Sequence, residues 1–278
     1  MVVTDFIVDN VGIDEKTYEI NEFILLKQDE KNIKKTRVCF KTQENWHSDY
    51  TLFFYALLIA IPKVHITISY RKQGPEETES EFNRYKDNIR YLNCYMFNYY
   101  FNTEDNFDNS YVEICKGEIE KIKNTFNIIV EYNFKEQEKF NIDRWLVAYN
   151  QYLRAYKSLS VEMSIQNLIT VLEALLVKGD GELNFRVALY TSFVVEANIE
   201  KRKEIFSLVK YMYDIRSKSV HGEILSKYKK LKNFDYDKYY RFKEIVSEVL
   251  MKTYGKKEDD IFNALESMIY CSEKFEYY

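Results

Sequence analysis

The residues best suited to chemistry in this sequence are Arg216 and His221, which lie five positions apart in the string RSKSVH. The guanidinium of an arginine is always charged and can hold a phosphate or carboxylate in a fixed geometry. The imidazole of a histidine can accept and donate a proton near neutral pH. Together the two side chains favour acid–base chemistry on an anionic substrate, provided that the fold brings them into one cleft.

Arg216 occupies an unusual position in the hydrophobic pattern around it. If this segment is helical, with about 100° per residue and Ile205 at 0°, Arg216 falls at about 20°, inside the apolar stripe. A buried guanidinium without a partner is costly, so this position requires a carboxylate, a subunit interface or a cleft. The purely structural alternative is an ion pair with Glu173 or with the neighbouring Asp214.

His221 is followed by Gly222, a residue type that commonly ends helices in the left-handed conformation. At a helix C-terminus a histidine feels the negative end of the helix dipole, which favours the imidazolium, while Arg216 and Lys218 would oppose that charge. We expect these opposing influences to leave His221 able to exchange a proton near neutral pH. The alternative is a histidine that only caps the helix.

A basic segment surrounds both residues, although the formal charge of the whole chain is -4. Between Lys201 and Lys232 the sequence holds ten basic and three acidic residues. Such charge supplies sequence-independent affinity for nucleic-acid phosphates, and aromatic rings beside it can stack on bases. The alternative is an ordinary solvated helix face. The candidate phosphate contacts are Lys218, Lys227, Lys229 and Lys230. The candidate stacking rings are Tyr211, Tyr213, Tyr228, Phe234 and Tyr236.

Three strings in the second half of the chain resemble a known family. RSKSVH fits the R-x4-6-H motif of HEPN domains, and the longer string YMYDIRSKSVHG is similar to the form of that motif in the Apea-like HEPN branch. The upstream strings SIQNLITVLEALLV and FRVALYTSFVVE resemble earlier helices of the same branch in order and spacing. The resemblance covers residues 142–254 and leaves the first half of the chain unassigned.

The resemblance implies a metal-independent endoribonuclease, often a toxin or an antiphage defence effector, with its active site in the cleft of a homodimer. Arg216 and His221 carry over as catalytic residues, and neither a metal nor a cofactor is expected. In the HEPN subgroup paired with a nucleotidyltransferase antitoxin, a Tyr stands two residues after the His. Glu223 holds that position here, so we do not expect control by modification of that Tyr. We expect the catalytic pair to be supported by Glu173, Asp214, Ser217 and Ser219.

The chemistry of such a site can be stated from general principles. Cleaving RNA without a metal requires a base for the 2′-hydroxyl proton, an acid for the leaving 5′-oxygen and a cation for the phosphoryl charge. One Arg and one His per chain leave the site short of an acid or a base, and a symmetric dimer would supply the second copy. The expected product is a 2′,3′-cyclic phosphate, and DNA should resist cleavage because it lacks the 2′-hydroxyl.

Composition and motifs exclude several other function classes. The four cysteines are widely spaced without a CxxC pair, so we expect a reduced, cytoplasmic setting. The longest apolar run, residues 52–61, is half the roughly 20 residues that a membrane span needs, so no membrane association is expected. The three histidines have no His or Cys at ligand spacing, and the motifs GxxxxGK[ST], GxGxxG and GxSxG do not occur.

The elements that must position the motif divide the chain into two parts. A length of 278 residues suggests two domains, and we place them at residues 1–138 and 139–278. The second part follows the 3.6-residue period of helices almost throughout, which predicts a bundle of five or six helices. The sequence thus predicts an α+β N-terminal half followed by an all-α, HEPN-like C-terminal bundle, with the first half sensing a trigger, selecting substrate or regulating the enzyme.

Within the first half, three further patterns lead to specific expectations. The strict alternation of Val64, Ile66, Ile68 and Tyr70 is typical of a half-buried strand. The alternation of apolar residues between positions 126 and 130 resembles another strand. Residues 73–79 contain the Gly-Pro pair and an acidic run, which predicts an exposed loop.

The same sequence features are compatible with two other functions. The first is a non-catalytic HEPN module that binds RNA or a protein partner through the same basic face. The second is a helical dimerisation domain attached to an unrelated enzyme in the N-terminal half.

Overall fold

The structure is a computed structural model of the 278-residue chain. The residues it describes are 2–9, 11–28, 34–42, 47–63, 67–75, 112–138, 143–158, 160–179, 181–220 and 234–270. The chain folds into two compact units, Met1–Phe140 and Asn141–Tyr278.

The first unit contains a five-stranded antiparallel sheet with the strand order β3-β4-β5-β1-β6. A second, two-stranded sheet pairs β2 with β7 in parallel. The strands are β1 (Val2–Asp9), β2 (Val11–Ile13), β3 (Thr17–Asn21), β4 (Ile24–Gln28), β5 (Lys35–Thr42), β6 (Thr67–Pro75) and β7 (Val112–Ile114). The two helices of this unit are α1 (His47–Ala60) and α2 (Lys116–Glu138).

The core of the first unit is built from phenylalanines of the sheet and of α1. Phe6 on β1 and Phe40 on β5 meet edge to face with their ring centroids 5.6 Å apart, and both rings are almost fully buried. Phe53 and Phe54 of α1 pack onto them, with Phe6 and Phe54 centroids 5.4 Å apart. Such edge-to-face pairs add about 0.5–1.5 kcal/mol to the burial of the rings themselves. The apolar run that is too short to span a membrane therefore forms the buried helix α1.

Two expectations for the first unit are wrong. Of the loop expected at residues 73–79, Gln73, Gly74 and Pro75 belong to β6 and pair with Val2–Thr4 of β1, while 76–79 lie outside the described residues. The alternating residues at 126–130 lie within α2, because Ile119, Ile122, Phe126 and Ile129 form a buried stripe at spacings of three and four. Of the alternating residues at 64–70, those from Thr67 onward lie in β6, and 64–66 lie outside the described residues.

In the second unit, all the regular secondary structure of the described residues is helical. This confirms the coarse prediction of a mixed first half followed by a helical second half. The helices are α3 (Arg144–Tyr156), α4 (Val161–Leu176), α5 (Leu183–Val195), α6 (Ile199–Val220), α7 (Tyr236–Thr253) and α8 (Glu258–Tyr270).

Local sequence signals explain where these helices begin and end. Asp143, Ser160 and Asp235 cap the N-termini of α3, α4 and α7 by accepting a hydrogen bond from a backbone N–H in the first turn. The turn after α4 contains Gly179 and Gly181, both with positive φ, as the Gly-Asp-Gly string predicts.

The centre of the bundle is α4, which packs against α3, α5, α6 and α7. Leu168, Ile169, Val171 and Leu172 of α4 are fully buried. Two directed contacts fix α7 in this core. The Trp145 indole N–H of α3 donates to the Leu250 carbonyl at 2.9 Å, and the hydroxyls of Ser164 on α4 and Tyr239 lie 2.7 Å apart.

None of the helices that the structure describes is both long enough and apolar enough to cross a bilayer.

Candidate functional site

The helix α6 carries Arg216 close to its last described residue, Val220. Its apolar stripe is buried as the sequence predicts, with Ile205, Val209 and Met212 inside the bundle. The side chain of Arg216 retains 31% exposure, so it lies at the edge of this stripe rather than in its centre. The guanidinium therefore remains accessible from solvent.

A carboxylate on α4 faces this guanidinium. Nη2 of Arg216 and Oε2 of Glu173 are 3.7 Å apart, and the Glu173 side chain is 19% exposed. The hydroxyl of Tyr213, one turn before Arg216, donates to the other carboxylate oxygen of Glu173 at 2.9 Å. The Arg216 guanidinium also lies over the Tyr213 ring, 5.4 Å from its centroid. Glu173, Tyr213 and Arg216 thus form one half-buried cluster between α4 and α6.

A second polar contact joins the same two helices nearer the end of α6. The Gln166 side-chain amide of α4 donates to Oγ of Ser219 at 2.8 Å. Since Gln166 precedes Glu173 while Ser219 follows Arg216, the two helices run antiparallel. The end of α6 therefore lies beside the first turns of α4, and His221 is the residue that follows in the chain.

Three other expected site residues lie on α6 but outside this cluster. Asp214 is exposed and accepts a hydrogen bond from the Asn184 amide at 3.2 Å, so it is not the carboxylate that pairs with Arg216. Ser217 is half-buried, and Lys218 is exposed. Of the supporting residues expected from the sequence, Glu173 contacts Arg216, and Ser219 anchors the end of its helix to α4.

Several expected residues lie outside the described residues, namely His221, Lys227, Tyr228, Lys229 and Lys230.

Among the candidate stacking rings, Tyr213 is buried and cannot stack on a base, which corrects that expectation. Tyr211 is exposed, with the Lys238 ammonium 5.4 Å from its ring centroid. Phe234 and Tyr236 are half-buried, and their rings meet edge to face at 5.1 Å.

The environment of Tyr213 shows the electrostatic character of the cluster. Burial, followed by the hydrogen bond to the Glu173 carboxylate and the charge of that carboxylate, raises the pKa of Tyr213 to about 12, although the charge of Arg216 opposes the shift. The hydroxyl therefore stays protonated at physiological pH and remains a hydrogen-bond donor to Glu173. The carboxylate that faces Arg216 is thereby held in a fixed orientation.

Within the described part of the chain, no three His, Cys, Asp or Glu side chains come close enough to hold a metal ion.

Sequence reasoning did not anticipate two features of this unit. Gln166, Thr170 and Glu173 are spaced four and three residues apart on α4 and indicate a polar seam, of which only Glu173 is among the site residues expected from the sequence. Lys243 is buried in the apolar stripe of α7, and its position in the helical period predicts this burial in the same way as for Arg216.

Comparison of the chain with protein-family models, with curated proteins and with solved structures finds no match.

Proposed function

We propose that this protein is a metal-independent endoribonuclease of the HEPN type that cleaves RNA by attack of the 2′-hydroxyl on the adjacent phosphate. Its place would be the cytoplasm, as a toxin or an antiphage defence effector. The proposal is supported by the R-x4-H string, by its resemblance to Apea-like HEPN sequences, and by the helical architecture of the unit that carries it.

The observation that carries the proposal is the setting of Arg216. An arginine that only stabilises the fold would be expected to have its guanidinium closed by hydrogen bonds, as Arg144 of α3 has with two backbone carbonyls and with Glu258. Arg216 is partly exposed, and its carboxylate partner is instead 3.7 Å away, longer than the 2.7–3.2 Å typical of an N–H···O hydrogen bond. A phosphate oxygen can therefore approach the guanidinium from solvent without first breaking a closed ion pair.

In this proposal each residue has one role. Arg216 binds the scissile phosphate and stabilises the charge that builds on its oxygens. His221 takes the proton of the 2′-hydroxyl, and its symmetry mate in a homodimer gives a proton to the leaving 5′-oxygen. Glu173 orients Arg216, and Lys218, Lys227, Lys229 and Lys230 contact neighbouring phosphates.

The test is cleavage of single-stranded RNA and of transfer RNA by the purified full-length protein in the presence of EDTA. Wild-type protein should cleave, and His221→Ala should be slower by about 10²- to 10⁴-fold, the usual contribution of a general acid or base. Arg241→Ala, an exposed arginine of α7 paired with Glu244, is the matched control and should retain full activity. If His221→Ala cleaves as fast as wild type, the catalytic proposal fails.

A second candidate function is favoured by the contact between Arg216 and Glu173. A guanidinium that already has a carboxylate partner can serve stability alone, and the unit would then be a non-catalytic HEPN module that binds RNA through its basic segment. RNA would be bound without change in length in that case. Charge reversal at Lys227, Lys229 and Lys230 would weaken the binding.

A further inference from the structure

Lys243, in the middle of α7, is a buried lysine enclosed by tyrosine rings. The whole residue is only 3% exposed. Its ammonium nitrogen Nζ lies 3.9 Å from the ring centroid of Tyr156 on α3. The rings of Tyr239 and Tyr240, on the same helix as Lys243, have their centroids 5.6 and 5.8 Å from this nitrogen. Lysine is among the residue types that are almost never fully buried unless paired, so this position calls for an explanation.

No carboxylate among the described residues lies within ion-pairing distance of the Lys243 nitrogen. The titratable groups that face it are the tyrosines Tyr156, Tyr239 and Tyr240. The hydroxyl of Tyr156 in turn contacts the hydroxyl of Tyr152 on α3. The neighbouring Glu244 pairs with the exposed Arg241, and its charge also acts on the Tyr152 hydroxyl, but it forms no ion pair with Lys243.

In the described part of the chain, the other helices that pack on α7 place no charged side chain within ion-pairing distance of Lys243 either. The helix α4 contributes the uncharged hydroxyl of Ser164, which contacts the Tyr239 hydroxyl. The α6 residue Tyr211 lies against Lys238 at the start of α7, and the end of α5 contacts Lys252 through backbone carbonyls. Among the described residues, the groups in contact with the Lys243 nitrogen are therefore aromatic rings without a charge.

Two opposing effects act on the protonation of Lys243 in these surroundings. The faces of aromatic rings attract a cation, which favours the ammonium. Removing an ammonium from water costs more than this attraction returns when no counter-charge is present. Burial accordingly lowers the pKa of Lys243 to about 7, against 10.5 for a lysine in water. At slightly alkaline pH the folded protein thus holds a neutral amine among the rings.

We propose that Lys243 is a proton-dependent switch within the helical bundle, in which uptake of a proton by its amine loosens the packing of α7 against α3 and α4. A charged ammonium at this place draws water towards the Tyr156 ring. The contact between Ser164 and Tyr239, which joins α7 to α4, belongs to the same cluster of rings and hydroxyls. This proposal concerns the bundle itself and does not depend on ribonuclease activity.

The direction of the pH dependence follows from linkage. Between about pH 7 and pH 10.5 the unfolded chain holds the Lys243 proton and the folded protein does not, so stability rises with pH across this window. Below pH 7 both states hold the proton, and the penalty is complete and constant. Measurements should stop near pH 9.5, because tyrosines of the unfolded chain begin to ionise around pH 10.

The first test is an NMR titration of the lysine side chains in the full-length protein, followed at the Cε and Nζ positions and assigned by loss of one signal in Lys243→Met. One lysine should titrate within about one unit of pH 7 while ordinary lysines titrate near 10.4. A Lys243 signal that titrates near 10 would overturn the proposal, because the rings would then hold a permanent ammonium.

The second test compares the unfolding equilibria of wild type and Lys243→Met from pH 6 to pH 9.5. Trp145 fluorescence reports on this unit, in a Trp46→Phe background that removes the other tryptophan. The ratio of the two unfolding constants should change tenfold per pH unit above pH 7.5 and be constant below pH 6.5. Lys252→Met, an exposed lysine on the same helix, should run parallel to wild type at every pH. Parallel curves for Lys243→Met would overturn the proposal even if the variant is less stable.

Discussion

Arg216 on α6 and Glu173 on α4 face each other across the two antiparallel helices, with 3.7 Å between Nη2 and Oε2. This distance satisfies an ion pair but exceeds a hydrogen bond. The carboxylate is oriented by the Tyr213 hydroxyl at 2.9 Å, and the guanidinium keeps an open side towards solvent. The pair is therefore a loose one, which is compatible with exchange of the carboxylate for an incoming phosphate.

Because the ion pair is loose, Arg216 and Glu173 should contribute almost independently to the free energy of unfolding. In a double-mutant cycle with Glu173→Gln and Arg216→Gln, we expect a coupling energy of about 0.2–1 kcal/mol, the range of partly exposed pairs. Urea unfolding monitored at Trp145 measures the four stabilities. A coupling energy of several kcal/mol would instead identify a tight structural pair and would favour the non-catalytic reading of Arg216.

The ionisation of Tyr213 should respond to both of its charged neighbours, in opposite directions. Glu173→Gln removes a negative charge next to the phenol and should lower the pKa of Tyr213 from about 12, whereas Arg216→Gln removes a positive charge and should raise it. NMR of tyrosine labelled at Cζ follows the titration, and Tyr213→Phe identifies the signal. Shifts in the same direction for both variants would contradict the geometry of the cluster.

Arg144 should be the most sensitive surface arginine of the helical unit. It donates to the Ala174 carbonyl at 2.6 Å and to the Val177 carbonyl, and it pairs with Glu258 at 2.9 Å, so it connects α3 with the end of α4 and the start of α8. We expect Arg144→Ala to cost about 2 kcal/mol of stability, since hydrogen bonds from a charged donor contribute about 1.5–3 kcal/mol.

Arg241→Ala is the control for this change, because Arg241 is exposed and forms a single pair within its own helix. Its cost should stay within about 0.5 kcal/mol. Equal costs for the two variants in urea unfolding would show that Arg144 does not connect the three helices.

Stability should fall at strongly alkaline pH because of buried tyrosines. Burial raises the pKa of Tyr152 well above its usual range, so the folded protein keeps a phenol proton that the unfolded chain loses near pH 10. The unfolding constant should therefore rise with pH above 10. Tyr152→Phe should release one proton fewer on unfolding, so its unfolding constant should rise with pH by a factor of ten less per pH unit than that of wild type. Urea unfolding monitored at Trp145 measures both constants. An unchanged slope would place the Tyr152 hydroxyl in contact with water.

The helical unit could be predicted closely because its helices are amphipathic and well punctuated. Asp143, Ser160 and Asp235 mark helix starts by a known hydrogen-bond pattern, and the stripe from Ile205 to Met212 indicates which face of α6 is buried. The fold of the first unit is harder to predict from the sequence, because strand pairing depends on residues that are far apart in the chain. Gly74 and Pro75 suggest a loop locally, but they pair with Val2 and Val3 at the edge of the sheet, where a proline is tolerated.

The candidate site was predicted in part. The phase of Arg216 indicates a cation at the buried face, and Glu173 was one of the two carboxylates considered for it. The position of Arg216 in the helical period does not show that its side chain lies at the edge of the stripe, because the exposed fraction of that side chain depends on how far α4 covers α6. Lys243 also lies in the apolar stripe of its helix and is more deeply buried than Arg216, but no sequence motif marks its position.

Cleavage of one short RNA, compared with the same oligonucleotide carrying a single 2′-deoxynucleotide at the cleaved position, tests the central claim most directly. In EDTA, wild-type protein should cut the RNA to a 2′,3′-cyclic phosphate and leave the deoxy position intact, and Arg216→Ala should be about 10²- to 10³-fold slower. Cleavage at the deoxy position, or equal rates for wild type and Arg216→Ala, would contradict the account.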